Sequence, residues 1–462
     1  MRCAIMDIGY NAIRAVVYES NKLGAPEIFN NKFKSDILTL LANDSFDIKH
    51  QTYLSIRYLL HIFERLNVTD IHCVATAVLR GHPKANDFIL YIKNKYNFDI
   101  KVITGEEEAR LTALGLMSGI VNCNGIAADL GGGSLELVEV MNNEIGKLNS
   151  LKLGTKVISS RNITNTKEIA SIILEKFGNT HYKNLYLIGG ALRFIGRLYI
   201  DFMQYPIKNL HNLEISSQDF MNYLAKIQST SINIQNKFGK RKINTNAILV
   251  AEALIEVFKP EKIIISTYGI KEGVRTEILS EQEKNIVEAK VAYTCNYDTS
   301  KTDFSSYYAI LKKILVESEY LYELLKLSIM LVSLKHKFDK TLPPKALSEY
   351  ILASEIPFPH KTRVMLALIL AYTSNYKPDP ELIKNARSLI TKEDYANCQI
   401  IGYFLQISEE IDGADFSRPS YDINVKNYYF EIEWNEILPR PIFEKVCMRL
   451  KSIAYAKKIY FN

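Results

Sequence analysis

The chain lacks the features that would export it, anchor it in a membrane or cross-link it with disulfides. Its six cysteines are scattered and form no C-x-x-C pair, which argues against both a zinc ribbon and a disulfide framework. The N-terminus enters a short apolar strand without the hydrophobic segment of a signal peptide, and the longest apolar stretch elsewhere, Val364 to Tyr372, is too short to span a membrane. We therefore expect a cytoplasmic protein with reduced thiols and no membrane partner.

A strong charge of one sign is also missing. The formal net charge is +6 over 462 residues, with Lys and Arg interspersed among Asp and Glu. This composition permits a polyanionic ligand and gives no indication of a nucleic-acid partner. The densest basic cluster, Lys237 to Lys242, could line a phosphate channel, although such a run is more often a solvated loop.

An internal repeat is present instead. Residues Ala4 to Glu19 and residues Ile126 to Val140 each have the pattern of an apolar strand ending in Asp-x-Gly, a tight turn and an alternating strand. Glycines in such turns let backbone N–H groups converge on an anion, and Asp7 and Asp129 stand at strand ends where Mg²⁺ could be held. The repeat predicts two related lobes that face one cleft.

The wider pattern predicts an α/β fold with duplicated halves, followed by a helical domain. Helices are expected near 48–66, 84–95 and 167–177, with strands at 71–75, 100–104, 185–188 and 262–266. From about residue 302 the periodicity is helical, with stretches at 307–334, 345–353 and 363–372 and a strand signal at 427–434. We predict domains at 1–124, 125–297 and 298–462, with a polar connector near 281–301.

The strongest local signal is the segment from Asp129 to Leu137. On its outgoing strand Ser134 and Glu136 share one face and the leucines share the other. A glycine-rich hairpin turn would explain the glycines, but it would not explain Glu136 on the same face as Ser134. We therefore predict a phosphate-binding loop formed by Gly131, Gly132, Gly133 and Ser134.

A glutamate-rich helix start provides a candidate base. Thr104 and Glu107 fit a capping box, and the helix dipole favours acids in a first turn. Neither effect explains Glu108. Alone it would be read as a surface glutamate, but beside a phosphate loop and a divalent cation it could orient a water molecule and accept its proton.

Three further places offer candidate phosphate ligands. Arg80 follows a strand and could donate to phosphate oxygens or form a loop ion pair. Arg14 occupies the repeat position equivalent to Glu136. Gly189 and Gly190 precede a helix, where they could form an anion nest or serve packing.

Together these motifs resemble the exopolyphosphatase and guanosine pentaphosphate phosphohydrolase family, a branch of the superfamily of sugar kinases, heat-shock chaperones and actin. The resemblance rests on these segments: Asp7 to Arg14, Ala75 to Arg80, Gly105 to Leu111, Asp129 to Leu137, Gly189-Gly190 and Gly269 to Gly273. It covers residues 1 to about 280. It implies two duplicated actin-like (ribonuclease H-like) lobes around a cleft, plus a mainly α-helical C-terminal domain.

The resemblance also implies an activity and the roles of individual residues. The activity is release of terminal phosphate from inorganic polyphosphate or guanosine pentaphosphate, with Glu108 as catalytic base. Asp129 and Glu136 would be catalytic and, with Asp7, would hold Mg²⁺. The implied phosphate ligands are Asn11, Arg14, Arg80, Gly131, Gly132, Gly133, Ser134, Gly189 and Gly190. A homodimer is implied as well.

Several positions depart from the family pattern. Tyr10 and Ala12 stand where serines are usual, residues 34–41 lack the usual Arg-Leu-Gly-x-Gly-Leu, and residues 244–246 replace a usual Arg-Ala-Asp. His336 has no adjacent aspartate, so we predict a degenerate version of the family's histidine-aspartate helical domain, without a metal site.

Two other functions stay open at this point. One is an ATPase or kinase of the same superfamily, against which the glutamate-rich helix start argues. The other is a catalytically weak regulator that binds guanosine polyphosphates or other nucleotides, which the departures would explain.

Overall fold

The structure is a computed structural model that describes residues 1–42, 46–229, 243–279, 286–336, 345–374, 378–413, 416–426, 429–434 and 438–461. The chain forms two compact units, one of Met1–Tyr205 with Leu210–Ile286 and one of Pro206–Asn209 with Val287–Asn462. The domain limits at 124 and 297 stay a prediction.

The first unit begins with a five-stranded sheet in the order β3-β2-β1-β4-β5. Its strands are β1 (Cys3–Ile8), β2 (Ala12–Tyr18), β3 (Glu27–Lys34), β4 (Asp70–Ala75) and β5 (Lys101–Val102), and its helices are α1 (Ile37–Ala42), α2 (Gln51–Arg65), α3 (Ala85–Tyr96) and α4 (Gly105–Gly119). Alternate residues of β1 enter two apolar clusters: Met6 joins one with Phe88 of α3, and Ile5 joins the other with Leu111 of α4. This alternation is expected of a strand covered on both faces.

The second sheet of the same unit has six strands in the order β10-β11-β9-β6-β7-β8. Its strands are β6 (Gly125–Leu130), β7 (Leu135–Met141), β8 (Glu144–Leu151), β9 (Asn184–Ile188), β10 (Leu213–Ser216) and β11 (Lys262–Ile265). The helices of this part are α5 (Thr155–Ser160), α6 (Thr166–Phe177), α7 (Gly190–Phe202), α8 (Ser217–Ser229), α9 (Thr245–Phe258) and α10 (Ile270–Ile278). Helices α5, α8, α9 and α10 and strand β10 are not among the elements predicted from the sequence.

The two sheets repeat one topology. In each, a central strand pairs with an antiparallel hairpin strand on one side and a parallel strand on the other: β1 lies between β2 and β4, and β6 lies between β7 and β9. Asp7 lies opposite Arg14, and Asp129 lies opposite Glu136. The predicted equivalence of Arg14 and Glu136 is therefore confirmed by the strand register.

Helices α4 and α10 cross at glycines. A Cβ at Gly115 of α4 would overlap the carbonyl of Gly269, and a Cβ at Gly273 of α10 would overlap the carbonyl of Leu111. Only glycine lets two backbones approach this closely. The crossing fixes α4, which carries Glu108 in its first turn, against α10, which follows Gly269.

The second unit is mainly helical. Its helices are α11 (Ile286–Cys295), α12 (Phe304–Leu311), α13 (Glu319–Val332), α14 (Ala346–Ala353), α15 (His360–Tyr372), α16 (Pro380–Arg387), α17 (Lys392–Asp412) and α18 (Arg440–Phe461), and its strands are β12 (Tyr421–Val425) and β13 (Phe430–Trp434). The stretch at 307–334 is not one helix, because residues 312–318 separate α12 from α13. The strand expected at 427–434 corresponds to β13, whose antiparallel partner β12 was not predicted.

A positively charged side chain, that of Arg363, is buried inside this helical unit. Arg363 of α15 is fully buried, and its guanidinium donates to the carbonyls of Ile351 (2.6 Å), Ser354 (2.9 Å) and Ile356 (2.5 Å). The last carbonyls of a helix have no partner within the helix. Arg363 therefore satisfies the C-terminal end of α14 and the turn that follows it.

Two further predictions concern the cysteines and membrane-spanning helices. All six cysteines are free thiols, and five of them are buried, as predicted. Within the described ranges, no helix combines the length and apolar character needed to cross a bilayer. The basic cluster Lys237 to Lys242 and the side chain of His336 lie outside the described residues.

Candidate active site

Asp7 stands at the end of β1, before a turn over residues 9–12 that a backbone hydrogen bond of 2.9 Å closes. Its Oδ1 is buried and has no hydrogen-bond partner among the described residues. Burial and the carboxylate of Asp129 raise the pKa of Asp7 to about 7, although Arg14 and Lys32 oppose the increase. Burying an ionised carboxylate is costly unless a cation or donor meets it, so Asp7 fits the role of a cation ligand.

Asp129 occupies the equivalent end of β6. Thr112 donates a hydrogen bond of 3.3 Å to its Oδ2. Burial raises the pKa of Asp129, whereas Arg193 and the Thr112 hydroxyl lower it. Gly189, with φ +91°, precedes α7, and a Cβ there would overlap the Leu130 carbonyl and crowd the Asp129 carboxylate. The left-handed φ and the close approach both require glycine.

The glycine turn between β6 and β7 is held by backbone hydrogen bonds. The N–H of Gly131 donates to the Ser134 carbonyl at 3.0 Å. The carbonyls of Gly131 and Gly132 accept from the N–H groups of Thr155 and Lys156, both at 3.0 Å. The turn is thereby fastened to the start of α5, and a fixed backbone shape is what an anion-binding turn needs.

Glu136 follows on β7 and is buried. Ser150 donates to its Oε1 at 2.8 Å. Burial and Asp129 raise the pKa of Glu136 to about 7, and hydrogen bonds from Ser134 and Ser150 lower it. The two serines therefore hold Glu136 in place beside Asp129.

Glu108 lies in the first turn of α4. The N-cap Thr104 accepts from the Glu107 N–H at 3.0 Å, but the Glu107 carboxylate, which a capping box would place on the Thr104 N–H, binds Arg110 at 2.8 Å instead. The Glu108 carboxylate pairs with the guanidinium of Arg80. Burial and Glu136 raise the pKa of Glu108 well above its usual value, and Arg80 opposes them.

These groups meet at one cavity of about 440 Å³. Most predicted site residues line it: Asp7, Asn11, Arg14, Glu108, Asp129, Gly131, Gly132, Gly133, Ser134, Gly189 and Gly190. In the described structure Arg80 and Glu136 lie outside this lining. Arg80 binds Glu108, and Glu136 shares a side-chain hydrogen bond with Ser134, so each contacts a residue of the cavity wall.

The fold brings to the cavity basic residues that local sequence patterns did not identify. Lys32 lines the cavity because β3 pairs with β2 and places Lys32 opposite Arg14. A single lysine on an exposed strand gives no local signal. Arg193, in the first turn of α7, also lines the cavity, and its position just after the Gly189-Gly190 pair could have drawn attention to it. Lys271 is already paired with two glutamates, both at 2.7 Å.

The departures from the family pattern form contacts of their own at the cavity. The ammonium of Lys156 lies 4.3 Å from the centre of the Tyr10 ring, a cation–π contact. Asn246 donates to the Thr155 carbonyl at 2.8 Å and to the Ser159 hydroxyl at 2.7 Å. Tyr10 thus contributes an aromatic ring in place of a serine hydroxyl, and Asn246 contributes an amide in place of a carboxylate.

Comparisons with known proteins agree on the first unit. The model of the Ppx/GppA phosphatase family matches residues 16–282. A Ppx/GppA family member from Aquifex aeolicus is similar in structure with a TM-score of 0.52 and 18% identity, over 60% of this chain and 97% of the other. An exopolyphosphatase from Cytophaga hutchinsonii is similar with a TM-score of 0.50 and 19% identity, over 59% and 96% of the two chains. These similarities confirm the predicted actin-like α/β fold, and the predicted helical C-terminal region is the second unit described above.

Proposed function

The chain belongs to the Ppx/GppA phosphatase family, and on this premise we propose that it hydrolyses the terminal phosphoanhydride bond of inorganic polyphosphate or guanosine pentaphosphate. One observation supports this most: the two Asp-x-Gly hairpins and Glu108 line the same cavity. The cavity thus brings together phosphate-binding turns, carboxylates that could hold a cation, and a general base.

Binding of the phosphate chain is assigned to the glycine turns and to Arg14 and Lys32. Backbone N–H groups and cations complement the charge on phosphate oxygens, and a preformed turn needs no reorganisation when the substrate arrives. Arg14 and Lys32 are cross-strand neighbours on β2 and β3, which gives the cavity two positive charges on one wall.

Glu108 is assigned the role of general base. The water oxygen forms a bond to the terminal phosphorus, the bridging P–O bond breaks, and the water proton passes to the Glu108 carboxylate. The ion pair with Arg80 favours the ionised form that accepts the proton, against the effect of burial and Glu136. Arg80 is therefore assigned as a positioning residue for Glu108.

Mg²⁺ is assigned to Asp7, Asp129 and Glu136. An all-oxygen donor set suits Mg²⁺, and the unpartnered Oδ1 of Asp7 fits a cation ligand. When bound, the ion would neutralise part of the charge on the phosphate oxygens and on these carboxylates. The serines on Glu136 would keep its carboxylate oriented.

Phosphate release tests this proposal. Wild type, Glu108→Gln and the matched control Glu106→Gln, an exposed glutamate in the same helical turn, are assayed with Mg²⁺ on long polyphosphate, guanosine pentaphosphate and ATP. Loss of a general base is expected to lower kcat by about 10²–10⁴-fold, whereas Glu106→Gln stays close to wild type. Equal activity of Glu108→Gln and wild type would contradict the assignment of Glu108.

The three substrates also separate the alternatives. Release from polyphosphate or guanosine pentaphosphate supports the proposal and identifies the preferred substrate. Release from ATP alone would favour an ATPase of the same fold. Binding of guanosine pentaphosphate without release from any substrate would favour the regulator. Homodimerisation and a cytoplasmic location stay predictions, which sedimentation and localisation of the full chain would test.

A further inference from the structure

We propose that Cys3, Asp70 and His72 form a binding site for a transition-metal cation of the zinc class, separate from the catalytic cavity. All three residues lie in the first compact unit. Their candidate ligand atoms, one sulfur, one oxygen and one nitrogen, lie within 4.8 Å of one another. The catalytic proposal does not assign a role to any of the three.

Strand pairing brings these residues together. Cys3 begins β1 and lies opposite Asp70, the first residue of the parallel strand β4. His72 is two residues further along β4, and residues two apart on a strand share a face. The three side chains therefore project from one face, at the end of the sheet where β1 and β4 begin.

The site lies at the opposite end of β1 from the catalytic cavity. Cys3 and Asp7 are separated by four residues of strand, or roughly 13 Å. A cation held by Cys3 would thus be too far from Asp7 to take part in phosphate hydrolysis. Its expected role is to tie the start of β1 to the start of β4.

The polar groups of the cluster are not fully satisfied by one another. His72 Nε2 lies 2.7 Å from Asp70 Oδ1, yet this nitrogen is buried and has no partner in hydrogen-bond geometry within the described structure. Cys3 is 1% exposed. A buried imidazole nitrogen that faces a carboxylate and a thiol without a well-formed hydrogen bond is an arrangement that a shared cation would satisfy.

The donor set indicates the class of metal. Thiolate and imidazole ligands favour Zn²⁺ and similar ions, whereas Mg²⁺ and Ca²⁺ prefer oxygen ligands. Ligand atoms on a tetrahedral Zn²⁺ stand roughly 3–4 Å apart, so small side-chain rotations are enough to close the site. The side chains of His72 and Asp70 are 33% and 30% exposed, which leaves room for a water molecule as fourth ligand.

Cation binding at this site would replace the S–H bond of Cys3 with a bond between its sulfur and the cation. The Cys3 thiol loses its proton to solvent, and its sulfur forms a bond to the cation. Binding of each cation is therefore expected to release one proton per site.

Cobalt titration of the whole 462-residue chain tests the proposal. Co²⁺ is a spectroscopic substitute for Zn²⁺, and a thiolate ligand gives a charge-transfer band in the near ultraviolet. Excess Mg²⁺ is present throughout to occupy the catalytic carboxylates. We expect a thiolate-to-cobalt band that saturates at one equivalent and disappears when Zn²⁺ is added. Absence of the band in wild type would overturn the proposal.

Matched variants identify the ligands. Cys3→Ser should abolish the band, whereas Cys447→Ser, at a partly buried thiol in the other unit, should retain it. Because Cys3→Ser changes a buried residue, His72→Asn and Asp70→Asn provide independent tests: each should weaken Co²⁺ binding at least about tenfold, while His61→Asn, at an exposed position, should not. A band that persists in Cys3→Ser, or binding unaffected by His72→Asn, would overturn the site.

Discussion

Asp7→Asn should stabilise the protein when divalent cations are removed, while abolishing the stabilisation that Mg²⁺ provides. The carboxylates of Asp7, Glu108, Asp129 and Glu136 are close enough to raise one another's pKa in a buried site. Without a cation, their repulsion and desolvation oppose folding. An amide of the same shape removes one of these charges.

The size of the effect follows from the pKa of Asp7. Burial and Asp129 raise it from 3.8 to about 7, and each pKa unit corresponds to about 1.4 kcal/mol, so at pH 8 the ionised carboxyl opposes folding by about 4 kcal/mol. The new amide can lack a partner, which costs about 1–3 kcal/mol. The net gain is about 1–3 kcal/mol, or several degrees in Tm at roughly 2 °C per kcal/mol for a domain of more than 200 residues.

The pH dependence has a definite sign. Between pH 4 and 7 the folded state binds more protons at Asp7 than the unfolded chain does, so wild-type stability falls as the pH rises through this window. The advantage of Asp7→Asn should therefore be largest at pH 8 and should shrink towards pH 5.

Thermal unfolding in EDTA and in Mg²⁺ measures both effects. Wild type should gain stability from Mg²⁺ by mass action, Asp7→Asn should gain little, and Asp87→Asn, an exposed control, should behave as wild type. A Tm of Asp7→Asn at or below that of wild type in EDTA at pH 8, or an undiminished response of its Tm to Mg²⁺, would show that Asp7 neither opposes folding nor binds the cation.

Three further predictions concern single contacts. In phosphate-release assays, Arg80→Met should lower kcat by about 10²-fold with KM nearly unchanged, because Arg80 pairs with Glu108. A raised KM with unchanged kcat would instead show that Arg80 binds the substrate phosphate. Gly273→Ala should destabilise the first unit by about 1–3 kcal/mol in denaturant unfolding, because a Cβ would overlap the backbone of α4. The control Gly131→Ala should lower the free energy of unfolding by less, because its Cβ would stand 3.4 Å from its nearest neighbour. Arg363→Met should destabilise the second unit by about 3 kcal/mol or more, because three carbonyls lose their donor; the exposed control Arg387→Met should leave its thermal transition unchanged.

Local chemistry made much of the first unit predictable. Asp-x-Gly followed by an alternating strand favours a hairpin, and its repetition at Asp7 and Asp129 predicted the duplicated sheets that the structure has. The position of Glu108 in a helix start was predictable for the same reason, since capping and charge signals lie within one turn. Its catalytic role stays a prediction.

The helical unit was less predictable. A continuous apolar periodicity from 307 to 334 gave no sign of the break between α12 and α13. Strand β12 is stabilised by its pairing with β13. The energy of cross-strand pairing is not visible in the local sequence pattern of one strand.

Local sequence patterns were therefore enough to predict the turns, the strands that end in aspartate, the glutamate-rich helix start and the family. Four contacts could be seen only in the folded chain: Lys32 reaches the cavity, Arg80 binds Glu108, α4 and α10 cross at Gly115 and Gly273, and Cys3 lies close to Asp70 and His72. The physical reason is sequence separation. A turn or cap depends on neighbours within a few residues, whereas these contacts depend on the register of strands and the crossing of helices that are distant in the chain.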